Sequence, residues 1–138
     1  MTLDRSVYNI VFDLEDYEAA TEALTEISNA DPLGATELSL NILNEKRGDV
    51  YFQAHAFDIL YSVNRREAIV FVEKNYEIVD LMVLNSILEC VAVDRCFYKE
   101  NCDYFTIVKK LKSRISKLND EGLMLINDSV LFFGESFE

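Results

Sequence analysis

The chain has 138 residues, one domain's worth, and half of them are apolar, so it can bury a core and lies far from the composition of disordered chains. Its 25 acidic side chains outnumber 13 basic ones, for a formal net charge of −12. Phosphate repels such a polyanion, which disfavours direct nucleic-acid binding and docking on an anionic membrane, and favours a basic partner or simply solubility.

The start, Met1-Thr2-Leu3-Asp4-Arg5, has no basic segment followed by an apolar run, and stretches such as Ile69-Val70-Phe71-Val72 fall far short of the ~20 residues a membrane span needs. The expectation is a soluble, cytoplasmic protein. Four glycines and one proline leave room only for short loops and lean towards helices. Cys90, Cys96 and Cys102, spaced six apart with His55 far away, fit neither a disulfide framework nor a zinc site. They read as reduced thiols packed as small hydrophobes.

In chain order, residues 3–14 carry Val7, Ile10 and Leu14 at helical spacing, although Val7 to Phe12 is also rich in strand formers; helix is the favoured reading. Residues 15–29 form the clearest amphipathic helix, with Tyr17, Ala20, Leu24 and Ile27 on one face and Glu15, Glu18, Glu22 and Glu26 on the other. Asp31 and Pro32 give a good start for a helix over 32–46, which Lys46, Arg47 and Gly48 close. Asp49 caps a helix over 50–62 with a wide apolar set that includes Tyr51. Asn64 to Glu67 has the shape of a capping box for 65–74. A strongly apolar helix follows over 77–93. Asp94 to Asn101 reads as a polar loop holding Phe97 and Tyr98. Residues 103–118 make a helix whose solvent side holds Lys109, Lys110, Lys112, Arg114 and Lys117. Asn119 or Asp120 opens a last helix over 120–133 that stops at Gly134.

The fold class is therefore all-α: about seven helices within a single domain over 1–138, arranged as stacked antiparallel pairs of HEAT-like character or as a compact helical bundle. A weak 30-residue repeat, placing Tyr51, Ala54, Phe57 and Tyr61 over Leu81, Leu84, Ile87 and Val91, favours stacking.

Charge placement is the most informative feature. Asp13 to Glu45 holds nine acids and no Lys or Arg, and residues 1–60 carry −9 while 61–138 carry −3. Like charges at i,i+4 repel by a few tenths of a kcal/mol each. A one-sign stripe is a solvated face or the landing site of something basic. Glu15, Asp16, Glu18, Glu22 and Glu26 are accordingly candidate contacts. His55, in Ala54-His55-Ala56, reads as a structural histidine that Asp58 could satisfy, with acid–base chemistry the lesser alternative. Asp94, Glu100 and Asp103 surround Phe97 and Tyr98, either as a recognition patch for a basic, partly apolar surface or as an ordinary helix connection with anchoring aromatics. The chain has no Gly-rich phosphate loop, G-x-S-x-G, H-E-x-x-H or C-x-x-C. No cofactor, no metal and no enzymatic activity are expected.

Val50-Tyr51-Phe52-Gln53-Ala54-His55-Ala56-Phe57-Asp58, with a His followed by an acid, and the apolar Val83-Leu84-Asn85-Ser86-Ile87-Leu88-Glu89 lie in a block from Asp49 to about Ile115. In its layout this half of the chain resembles bacterial immunity proteins, the cognate inhibitors of polymorphic or contact-dependent-inhibition toxins, several families of which are helical or HEAT-like. The resemblance implies a cytoplasmic protein that binds one toxin domain, blocks its active site and has no catalysis of its own. The charge agrees, because a nuclease toxin needs a basic cleft and an acidic inhibitor is steered to it. A helical-repeat adaptor or scaffold is the alternative, and an enzyme with a carboxylate site is the third class.

Overall fold

The computed structural model describes residues 3–138. Among them the regular elements are ten α-helices and no strand: α1 (Arg5–Asp13), α2 (Tyr17–Ala30), α3 (Pro32–Glu45), α4 (Val50–Val63), α5 (Arg65–Asn75), α6 (Leu81–Val93), α7 (Arg95–Glu100), α8 (Cys102–Ser116), α9 (Asp120–Leu125) and α10 (Asn127–Ser136). The chain divides into two compact units, residues 1–68 and 69–138, with the boundary inside α5.

Side-chain caps start most of these helices. Asp4, Asp16, Asp31, Asp49 and Asp80 each accept a first-turn backbone N–H. Asn64 and Asn119 do the same for α5 and α9. Each cap contributes about 1 kcal/mol, and an aspartate also sits well at the positive end of the helix dipole. Five of the acids counted in the net charge are thus held by local structure. Asp31 also makes a longer-range bond. Besides capping Gly34 N at 3.0 Å, it accepts from the Tyr8 hydroxyl at 2.7 Å, which ties α1 to the α2–α3 junction. The Gly34 N–H, and then the Tyr8 hydroxyl, hold the Asp31 carboxyl below its usual range, and the same bond raises the Tyr8 phenol.

In the first unit α3 packs on α4, and α2 touches α1, α3 and α4. Val11, Ala20, Leu24, Ile27, Ala35, Ile42, Ala56, Phe57 and Leu60 are fully buried there. The alternation at 3–4-residue spacing that marked these stripes is what buries them, at roughly 1.5–3 kcal/mol for each large side chain. Gly48 joins α3 to α4 at φ +75°, a left-handed conformation, and a Cβ there would lie 2.7 Å from a ring carbon of Phe52. Gly48→Ala is therefore expected to cost about 1–3 kcal/mol in urea denaturation, from the left-handed backbone and the displaced ring together. A midpoint equal to the wild type's would contradict this.

In the second unit α6 packs on α10, α7 on α8 and α6, and α9 on α10. Leu84, Ile87, Leu88, Tyr98, Ile107, Val108 and Leu111 are fully buried. The basic side of α8 takes part in the fold. Arg114 donates to the Tyr76 and Val79 carbonyls at 2.8 and 2.9 Å and fastens the turn before α6, and Lys112 donates to the Phe137 carbonyl at 2.7 Å.

Several boundaries differ from expectation. The helix read as 77–93 begins at Leu81, because Asp80 caps it and 76–79 form a turn. The predicted loop 94–101 contains α7. The last helix breaks at Ile126 rather than stopping at Gly134, which lies inside α10. Lys46, not Gly48, is the left-handed cap that ends α3. Cys96 and Cys102 are exposed and Cys90 is half-buried, so the first two do not pack as small hydrophobes.

Candidate functional site

The acidic face of α2 meets the start of α4 across an open groove of about 450 Å³ in the first unit. Tyr17, Glu18, Thr21, Glu22, Asp49, Tyr51, Phe52 and His55 line it. Tyr17 and Glu18 open α2 after the Asp16 cap, and Thr21 and Glu22 lie one turn later, each four residues on from one of them. On α4, Tyr51 and His55 stand four residues apart on the side opposite the buried Phe57 and Leu60.

The floor is apolar and the rim charged. Phe52 is 2% exposed, and its ring lies 6.3 Å from that of Tyr17 at a 30° tilt. Tyr17 and Tyr51 are 44% and 67% exposed, a large area of aromatic surface left in water. Glu18, Glu22 and Asp49 are exposed around them. No Lys or Arg is among the described residues that line the groove. An aromatic face carries a negative quadrupole, so the tyrosines and the carboxylates attract the same kind of ligand, a cation with an apolar stem.

His55 is half-buried at the edge of this groove. Its Nε2 lies 3.1 Å from the Thr25 hydroxyl, which itself donates to the Thr21 carbonyl. Burial lowers the His55 pKa, against the charge of Asp58 and the Thr21 carbonyl, which favour the protonated ring. The folded state then binds this proton less tightly than the unfolded chain does. Stability is full above the unfolded histidine value of 6.5 and falls as pH drops through that value towards the lower folded one. His55→Gln is expected to flatten the decline in Tm between about pH 7 and pH 5. Equal slopes in the two proteins would show that His55 does not contribute to it.

The other residues singled out from the sequence fall in different places. Glu15 is exposed in the α1–α2 link, Asp16 is spent on the α2 cap, and Glu26 is exposed further along α2, outside the groove. Asp58 is exposed on α4 and acts on His55 through its charge. In the second unit Asp94 joins α6 to α7, and Glu100 and Asp103 are exposed. The aromatics between them are not both at the surface. Tyr98 is 0% exposed, with Phe97 edge-on to it at 5.1 Å and Phe137 at 6.4 Å. Phe97 is half-buried and stacks on Tyr104 at 5.1 Å. Because 95–100 coils into a helix, Tyr98 turns inwards, and these rings anchor the connection.

Sequence reasoning missed Tyr17, Tyr51 and Asp49 as parts of one surface, counting the tyrosines with the apolar stripes. The available signal was the row Tyr51, His55, Asp58, Ser62 at i, i+4, i+7, i+11, a polar side running the length of α4. Among the described residues no group of His, Cys, Asp and Glu is placed to hold a metal ion, and no helix is long and apolar enough to cross a membrane. Compared with family models, curated proteins and solved structures, the chain matches none.

Proposed function

We propose that this chain is an immunity protein, which binds a basic toxin domain of nuclease type and neutralises it by covering its active site. The observation that carries the reading is the groove between α2 and α4, where two exposed tyrosines and three carboxylates converge with no counter-charge among the lining residues. Carboxylates speed the encounter with a basic cleft, and buried aromatics supply most of the affinity once water is excluded. Lys and Arg side chains of the toxin that would contact phosphate are held instead by Glu18, Glu22 and Asp49. The inhibitor works from the cytoplasm, needs no cofactor and performs no catalysis.

The same proposal includes the HEAT-like arrangement, with α1 paired to α2 and α3 to α4 as successive antiparallel pairs. The short links at 14–16 and 46–49, and the packing of α1 on α2 and of α3 on α4, support it, since helices so joined fold back on each other. An experimental structure in which α3 and α4 run parallel or apart would contradict it.

Co-expression tests the function. The toxin domain encoded by the adjoining reading frame should arrest growth alone and be tolerated with this chain. Continued arrest in the presence of soluble, folded protein would remove the proposal and leave the adaptor reading.

A further inference from the structure

A second surface, independent of the groove, lies in the other unit. Residues 118–138 hold Asp120, Glu121, Asp128, Glu135 and Glu138 and no Lys or Arg, so the near balance of the C-terminal half conceals a segment of net −5. Helices α9 and α10 bury one side, through Gly122, Ile126, Ser129 and Phe133. Their other side is not simply polar. Met124, Leu125, Leu131 and Phe132 are between 41% and 80% exposed. Positions 124, 125, 128, 131, 132 and 135 recur at three- and four-residue intervals, so on α10 Leu131 and Phe132 lie between the carboxylates of Asp128 and Glu135. Single exposed apolar residues are ordinary; four within nine residues, rimmed by acids, are the composition of a docking face.

Gly134 adds a separate observation. It sits within α10, is exposed, and a Cβ built on it meets nothing within 4 Å. The free fold therefore gains nothing from glycine at this position, yet glycine inside a helix costs about 1 kcal/mol relative to alanine. It stands one turn after Leu131, and the missing side chain leaves room for another backbone to come close to α10.

We propose that the exposed side of α9 and α10 docks a basic amphipathic helix of a partner protein. The partner's apolar stripe packs on Met124, Leu125, Leu131 and Phe132, its Lys or Arg residues meet Asp128 and Glu135, and its backbone approaches at Gly134. Charge selects this occupant over a second copy of the chain, because two such faces would bring carboxylates against carboxylates.

A fluorescein-labelled Leu/Lys amphipathic peptide of about 18 residues, five helical turns, is the probe. Titrated with the full chain at low salt, its anisotropy should rise and saturate, and a scrambled peptide of the same composition should bind at least tenfold more weakly. Leu131→Gln with Phe132→Gln should weaken binding at least tenfold. Gly134→Gln should do the same without lowering Tm, and Glu18→Gln with Glu22→Gln should leave this affinity unchanged. Equal binding of the scrambled peptide, or indifference to the Leu131 and Phe132 substitutions, would overturn the proposal. So would sedimentation showing a wild-type dimer that these substitutions dissociate, which would make the face a self-interface.

Discussion

Glu18→Gln combined with Glu22→Gln is expected to leave the stability nearly unchanged and to make the protein a much poorer binder. Glu18, Glu22 and Glu26 follow one another at i,i+4 on the exposed side of α2, and each such like-charge pair costs a few tenths of a kcal/mol. Neutralising two of the three removes both repulsions, while Glu18, in the first turn of α2, gives up a favourable dipole interaction of similar size, so urea denaturation should show stability within about 0.5 kcal/mol of the wild type. Neither side chain caps a helix or enters the core. The groove loses two of its three carboxylates, and the affinity for a basic toxin domain should fall by at least tenfold, about 1.4 kcal/mol or more. Glu18→Lys with Glu22→Lys should go further by repelling the same partner. A loss of affinity without a loss of stability is the informative outcome, since damage to the fold would lower both. A double Gln variant that binds as tightly as the wild type would show that these acids are only a solvated face.

Tyr98→Ala has the largest expected effect on stability. The side chain is fully buried between Phe97 and Phe137, and Phe137 is in turn 5.0 Å from Phe133 on α10. Removing the ring takes away its burial, leaves a cavity and unstacks its neighbours, for a loss of about 3–5 kcal/mol. That is a large share of the roughly 5–15 kcal/mol by which a domain of this size is stable. A solvent-facing recognition tyrosine would instead change stability by less than about 0.5 kcal/mol. Denaturation of this one variant therefore separates the core role seen in the structure from the surface role allowed by the sequence.

That contrast shows where sequence reading reached its limit. Helix starts were legible because capping is a local event: Asp31, Asp49 and Asn64 each accept the first-turn N–H that their position implied, although the Asn64 N–H goes to the Leu60 carbonyl. The long amphipathic stripes were legible because one face must be buried. Asp94 to Asn101 was not, because six helical residues make fewer than two turns and carry no readable period; only packing against α8 and α6 decides that Tyr98 points inwards. Gly134 misled for a related reason: glycine commonly ends a helix by adopting a left-handed conformation, but α10 continues through it. At the groove, the acids on α2 were visible from their periodicity. Their convergence with Tyr51 and Asp49 was not, since it depends on how α2 and α4 pack, and tyrosine counts as apolar in a stripe whether or not packing covers it.

The net charge now has a physical distribution. Five aspartates cap helices, Glu18, Glu22 and Asp49 rim the groove, with Asp49 in both groups, and a further five acids lie in the last 21 residues. On the proposed function, the rim is the part that meets the toxin. The central claim is tested most directly by the association rate of this chain with the toxin domain of its adjoining reading frame, measured by stopped flow from low to high salt for the wild type and for the Glu18→Lys, Glu22→Lys variant. The rate for the wild type should fall steeply as salt rises, while the variant should associate slowly and gain or change little. Identical rates and salt dependences for the two proteins would contradict the account.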